Sequence, residues 1–282
     1  MRHIFLLLAL AMLGCQQTTP SSPPDISQGD QEGIVGGVDA PPTSRLNQQV
    51  LNFKIAVTIE KQDAPPRTAV SQCTASAISP SILLTAAHCI SLSPNTVHTL
   101  YLKNNLGESV ALRSSSFVVH PEYLKGNKSY DLALVLLEKA LPAEIEILNL
   151  PEKEPSLNLT QVQAAGFGRS DGRPTFKGNL GILRSVDLDV VSYVHTSPTF
   201  IVSQNQGKGF CQGDSGGPAI ITVDGKPYVV GVASRTFFNP EVPLEERNLC
   251  IDRGQYITVQ FHIDWIREEA QKLMTKTEGS ST

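Results

Sequence analysis

The chain has 282 residues, of which 40% are hydrophobic and 18% charged. That balance supports a packed core and excludes general disorder. Lys and Arg total 23 against 27 Asp and Glu, for a net charge of -4, so no basic face is implied and nucleic-acid binding driven by phosphate contacts is set aside. The length fits one large unit or two fused halves. Its longest apolar run lies near the N-terminus and falls short of the roughly 18 residues of a spanning helix. Five cysteines leave one over after pairing.

Met1, Arg2 and His3 form a cationic start, and Ile4 to Leu13 is apolar throughout, followed by Gly14 and Cys15. A charged start, an apolar stretch and a small residue describe a signal peptide over 1–15. Two cuts are open. Gly14-Cys15 resembles the end of a bacterial lipobox, which would place a lipid on Cys15 and account for the odd cysteine. Gln16 then fits the outer-membrane sorting pattern. Ala9-Leu10-Ala11 instead offers a cut for ordinary secretion. Either route takes the chain to a compartment where disulfides persist. Residues 16–33 read QQTTPSSPPDISQGDQEG, a Pro-rich polar stretch that serves as a propeptide or tether rather than core.

The body reads as strands. Phe53, Ile55, Val57 and Ile59 alternate with Asn52, Lys54, Thr58 and Glu60, the period of a half-buried strand. Further short runs are 82–85, 131–137, 162–165, 186–191, 228–233 and 256–259, punctuated by Gly, Pro, Asn and Ser. Many short strands between turn signals argue for an all-β barrel or sandwich. Only the C-terminus looks helical: Ile263, Ile266, Ala270 and Leu273 recur at three or four residues and form a packing face. A frayed tail is expected over 276–282.

Residues 210–218 read FCQGDSGGP. A serine is a poor nucleophile unless a base lies within hydrogen-bond reach. It also needs a turn that presents its hydroxyl and gathers backbone N–H groups, and glycines permit such a turn. A bare GDSG is equally a hairpin turn, a lone His is commonly a core residue, and a lone Asp before a strand is commonly a cap. The full GDSGGP around Ser215 is more specific and resembles the nucleophile motif of the trypsin/chymotrypsin-like serine proteases. Three further landmarks follow the family's order. Thr85-Ala86-Ala87-His88-Cys89 resembles its histidine motif, Asp131-Leu132-Ala133-Leu134 its aspartate motif, and Ile34-Val35-Gly36-Gly37 its mature N-terminus. His3, His98, His120, His195 and His262 lack such neighbours and are read as structural.

The resemblance implies two six-stranded antiparallel β-barrels and a C-terminal helix within a protease domain over 34–275, the barrels at roughly 46–145 and 146–262. It implies His88, Asp131 and Ser215 as the catalytic triad, with the backbone N–H groups of Gly213 and Ser215 as the oxyanion hole. Ser234 matches a serine that supports the triad aspartate. The disulfides it implies are Cys73–Cys89 and Cys211–Cys250. Cleavage at Gly33–Ile34 would free an α-amine to pair with Asp214, so the uncut chain is a zymogen and activation releases the body from any anchor on Cys15. Gly209 falls at the base of the primary specificity pocket, where members selective for Arg or Lys carry a carboxylate. Phe210, Ser234, Thr236 and Gly254 line it, which suits small to medium apolar residues before the scissile bond (P1). A zinc site built from His88 and the cysteines lacks the C-x-x-C spacing. The barrel loop 103–117 offers one carboxylate, too few for calcium. No metal or cofactor is expected. The partners implied are protein or peptide substrates and an activating protease, with the chain acting as a monomer. Two other classes stand beside this one. A non-enzymatic binding module on the same scaffold generally loses a triad residue, and all three are present here. A serine esterase would set a G-x-S-x-G elbow in a helix–strand context, and that context is missing around Ser215.

Overall fold

A computed structural model describes residues 34–278, apart from 62–63, 95, 104–108, 155–156, 177, 179 and 244–245. The expected signal segment, Cys15, the tether and Gly33 lie outside the described residues, as do the last four of the tail. Thirteen strands run in chain order. A short β1 (Val38–Asp39) precedes β2 (Val50–Lys61), β3 (Ala64–Ala77), β4 (Ile82–Thr85), β5 (Thr96–Lys103), β6 (Ser109–Val119) and β7 (Ala133–Leu137). The second half holds β8 (Gln161–Gly166), β9 (Arg184–Ser192), β10 (Thr199–Ser203), β11 (Pro218–Val223), β12 (Lys226–Phe237) and β13 (Arg253–Thr258). Helices α1 (Leu46–Gln49) and α2 (Pro121–Leu124) are single turns, and α3 (Ile263–Glu278) is the one long helix among the described residues.

Strands β2 to β7 close in the order β2-β3-β4-β7-β6-β5. The alternation read along β2 is what closes this barrel inward: Phe53 and Ile55 are buried while Asn52 and Lys54 keep partial access to water. A fully buried Phe of this kind contributes about 1.5–3 kcal/mol. The second barrel runs β8-β9-β10-β13-β12-β11 and closes through antiparallel pairing of β11 with β8, while β1 is added at the outer side of β9. Its interior holds Val162, Leu188, Phe200, Phe210, Val230 and Tyr256, together with Ile34 from the segment ahead of β1.

Helix α3 buries Ile263, Ile266 and Leu273 against the first barrel's core, the face its periodicity indicated, and it continues through Glu278. The same apolar cluster reaches Val229, Val232 and Ile257 of the second barrel. One apolar cluster therefore bridges the two barrels, while the second barrel's interior forms a core of its own.

Strands β1, β3, β5, β6, β10 and β11 are not among the runs read from the sequence. In β3 the reason is visible. It pairs with β2 along most of its length, yet its last four residues, Thr74, Ala75, Ser76 and Ala77, are each at most 1% exposed, so it is buried on both faces there. Small side chains let the second barrel approach closely there, and they leave no hydrophobic alternation to detect.

Candidate active site

His88 lies in a single 3-10 turn, Ala87–Cys89, that begins two residues after β4 ends. Asp131 belongs to the same barrel, just ahead of β7 and directly after a second such turn (Lys128–Tyr130) capped by the Asn127 side chain. The two meet twice. Asp131 Oδ1 accepts from the His88 backbone N–H at 2.8 Å, and Oδ2 accepts from Nδ1 of the ring at 2.7 Å. A carboxylate can only accept, so the proton is on Nδ1 and the lone pair on Nε2. Oδ2 also takes the Ser234 hydroxyl of β12 at 2.7 Å. Burial would push the Asp131 carboxyl up. The hydrogen bond and charge of His88, with the Ser234 hydroxyl and the His88 N–H, outweigh that and hold it below the usual carboxylate range. The carboxylate is almost enclosed, whereas the imidazole keeps 34% of its side-chain surface exposed toward the groove.

Ser215 sits in the turn between Cys211 and β11. Thr74 N–H donates to its carbonyl at 2.8 Å, and the Thr74 hydroxyl donates to the carbonyl of Gly213 at 3.0 Å. Thr74 adjoins Cys73, which is disulfide-bonded to Cys89, the residue after His88. One short covalent path therefore links the support of the serine turn to the histidine. Gly216, at φ +81°, presses closer still: a Cβ there would lie 2.1 Å from Thr85 Oγ1 and 2.9 Å from the Ala86 N. Gly213 is also left-handed, at φ +98°. Among the described residues, the N–H groups of Gly213 and Ser215 meet no protein acceptor. Neither the Ser215 hydroxyl nor His88 Nε2 makes a hydrogen bond among the described residues either, an opening typical of sites that tighten around substrate.

Asp214 points away from the groove. It is fully enclosed, its Oδ1 accepting from Gly168 N–H at 2.7 Å and its Oδ2 from Cys211 N–H at 2.8 Å. Burial pushes its carboxyl up to about 7, against the pull of those two donors and the charge of Arg184. Ile34 is also buried, at 1% exposure, and its φ of +30° is unusual for a β-branched residue. Val35 and Gly209 exchange backbone hydrogen bonds at 2.8 and 2.9 Å, which fixes the segment ahead of β1 beside the base of the expected pocket. Thr236 and Gly254 face each other across β12 and β13. Cys211 and Cys250 form the second disulfide. Cys73, Cys89 and His88 lie within reach of a common point, but the two sulfurs are bonded to each other and so are unavailable as thiolate ligands.

Thr74, Gly168 and Gln204 were not singled out from the sequence. Each acts through a hydrogen bond to a residue distant in the chain, and no local motif marks such contacts.

Two barrels with a carboxylate–imidazole pair and a glycine-rich serine turn in the groove between them define a serine hydrolase of the two-barrel type. A family model described as Trypsin matches residues 34–266, and the chain belongs to the trypsin family of serine endopeptidases. Brachyurin of Leptuca pugilator is 30% identical over 199 residues, covering 66% of this chain and 80% of its own length. A trypsin of Phaedon cochleariae is 27% identical, covering 94% of this chain and 98% of its own. Spermosin of Halocynthia roretzi is 26% identical over 88% of this chain, and the match spans 64% of Spermosin.

Proposed function

We propose that the chain is an exported serine endopeptidase zymogen in which Ser215 is the nucleophile, His88 the general base and Asp131 the group that orients the imidazole. The observation that carries this reading is the double contact between Asp131 and His88, which leaves Nε2 as a free base facing the groove. Ser215 attacks the scissile carbonyl and its proton passes to Nε2. The tetrahedral oxyanion is met by the N–H groups of Gly213 and Ser215. His88 then returns the proton to the leaving amine, the acyl-enzyme remains on Ser215, and water repeats the sequence to release the acid. An oxyanion donor of this kind is worth about 10²–10³ in rate because it meets charge that develops only in the transition state.

Activation by cleavage at Gly33–Ile34 is supported by the backbone of Ile34. Its strained φ, a torsion about the Ile34 N–Cα bond, is defined by the Gly33 carbonyl carbon, so cutting there removes that constraint. The freed amine would offer Asp214 the positive charge its burial calls for. A preceding Gly rather than Arg or Lys argues against a trypsin-like activator. Export fits the two disulfides. Lipidation at Cys15 rests on the Gly14-Cys15 pair and would make the precursor membrane-bound and the active body soluble. A neutral Gly209 with Phe210, Ser234, Thr236 and Gly254 around it favours small to medium apolar P1 residues.

The test is a peptide-library profile of a chain beginning at Ile34, with Ser215→Ala as control. Turnover by the first and none by the second is expected. Equal turnover by both would overturn the assignment.

A further inference from the structure

The space below the serine turn is occupied. Gln204 follows β10, whose Val202 pairs with Gly254 of β13, and its backbone N–H donates to the Asp252 carbonyl at 2.9 Å. Its side chain is wholly enclosed, at 0% exposure. The amide extends from Gly209 to Gly254. A Cβ on Gly209 would lie 2.1 Å from Nε2, and one on Gly254 would lie 2.1 Å from Oε1.

The amide's orientation is set by its neighbours. Nε2 donates to the carbonyls of Phe210 at 3.0 Å and Cys250 at 2.6 Å, so the nitrogen must be on that side. Oε1 is left without a partner among the described residues. A side chain chosen for packing alone would not strand a buried acceptor. The Phe210 ring fills the remaining side. It is 2% exposed, stands edge-on to Tyr256 with centroids 4.9 Å apart, and its Cε1 would lie 2.3 Å from a Cβ on Gly254. Gly209, Phe210, Gly254 and Gln204 are all buried, so no open channel reaches the level of these residues. None of these four residues carries a charge to receive Arg or Lys.

We propose that Gln204 is a specificity-determining residue: its amide, backed by the Phe210 ring, closes the base of the primary pocket and limits P1 to small side chains such as Gly, Ala and Ser. This rests on the peptidase reading above and narrows it. The bonds from Nε2 also brace the serine segment against the Cys211–Cys250 bridge. A bracing role alone would lower activity on every substrate alike, whereas a closing role changes their ranking.

The experiment compares kcat/KM for peptides differing only at P1, using the chain that begins at Ile34. The unaltered enzyme should cleave after Ala about tenfold or more faster than after Leu or Phe, the discrimination a methylene or two provides. Gln204→Ala should raise Leu relative to Ala by about tenfold, and Gln204→Asn, which keeps the amide, should shift the ranking the same way by less. If Gln204→Ala does not fold, Gln204→Asn decides. Cleavage after Phe as fast as after Ala in the unaltered enzyme, or an unchanged ranking in the folded variant, would overturn the inference while leaving the peptidase intact. Absence of any fluorophosphonate label on Ser215 would overturn both.

Discussion

Replacing Asp214 by Asn should reveal a pH dependence that the unaltered chain partly conceals. In the uncut chain the Asp214 carboxyl is pushed from an ordinary 3.8 up to about 7 by its burial. Between those values the folded chain holds a proton that the unfolded chain has released. Stability from this group is therefore complete below about pH 4 and is lost as pH rises through 7. Three pH units correspond to roughly 4 kcal/mol. His262 acts in the opposite sense. Burial, with His120 beside it, drives its ring from 6.5 down to about 3. The unfolded chain then holds the extra proton, so stability rises with pH across that window by roughly 5 kcal/mol. His98 and His120, lowered by burial, add to the rise. The slopes of Asp214 and His262 oppose each other between about pH 4 and 6.5, so the unaltered chain should show only the smaller rise that His98 and His120 leave there. Asp214→Asn should expose the rise. The new amide meets the Cys211 N–H donor to donor, which adds a constant offset but no slope. The assay is urea unfolding of both chains from pH 4 to 8, followed by the fluorescence of Trp265, the only tryptophan. The difference between the two curves should change by roughly 1.4 kcal/mol per pH unit up to 7. Parallel curves would refute the reasoning, because they would mean that Asp214 titrates as an ordinary carboxyl.

Ser234→Ala removes one of the three hydrogen bonds to Asp131. It should cost about 1–2 kcal/mol of stability and lower kcat/KM about tenfold, and an unchanged pH–rate profile would contradict a positioning role for Ser234. Gly216→Ala combines a left-handed φ of +81° with a Cβ 2.1 Å from Thr85 Oγ1. A loss of roughly 2–4 kcal/mol in calorimetry, with active-site titration falling in step, is expected. A wild-type melting curve would show that the turn is not packed against β4. In the cleaved chain, the Ile34 amine should titrate above its ordinary value near 8 once paired with Asp214, so its contribution is full at neutral pH and lost as pH rises through that raised value. Activity that stays flat through pH 10 would exclude the pair.

The parts of this molecule that were legible in the sequence are those with a local signature. β2 announced itself by alternation, α3 by its spacing of Ile263, Ile266 and Leu273, and the groove by three short motifs. Strand β3 did not, because its contribution is to be small: Thr74 to Ala77 let the serine turn come within hydrogen-bond reach of the first barrel. Gln204 was invisible for a different reason. A polar residue after a strand reads as a surface turn, and only register with β13 and the two glycines reveals that it is enclosed. Ile34 stood in a recognisable position, but its left-handed backbone is a tertiary property.

The account depends most directly on whether the Ser215 hydroxyl is activated by His88. Treating the chain cleaved at Gly33–Ile34 with a fluorophosphonate, then mapping the adduct by peptide mass, measures this. The account predicts a single adduct on Ser215 that is abolished by His88→Ala. An unlabelled Ser215 in a folded, cleaved chain, or labelling that survives His88→Ala, would contradict it.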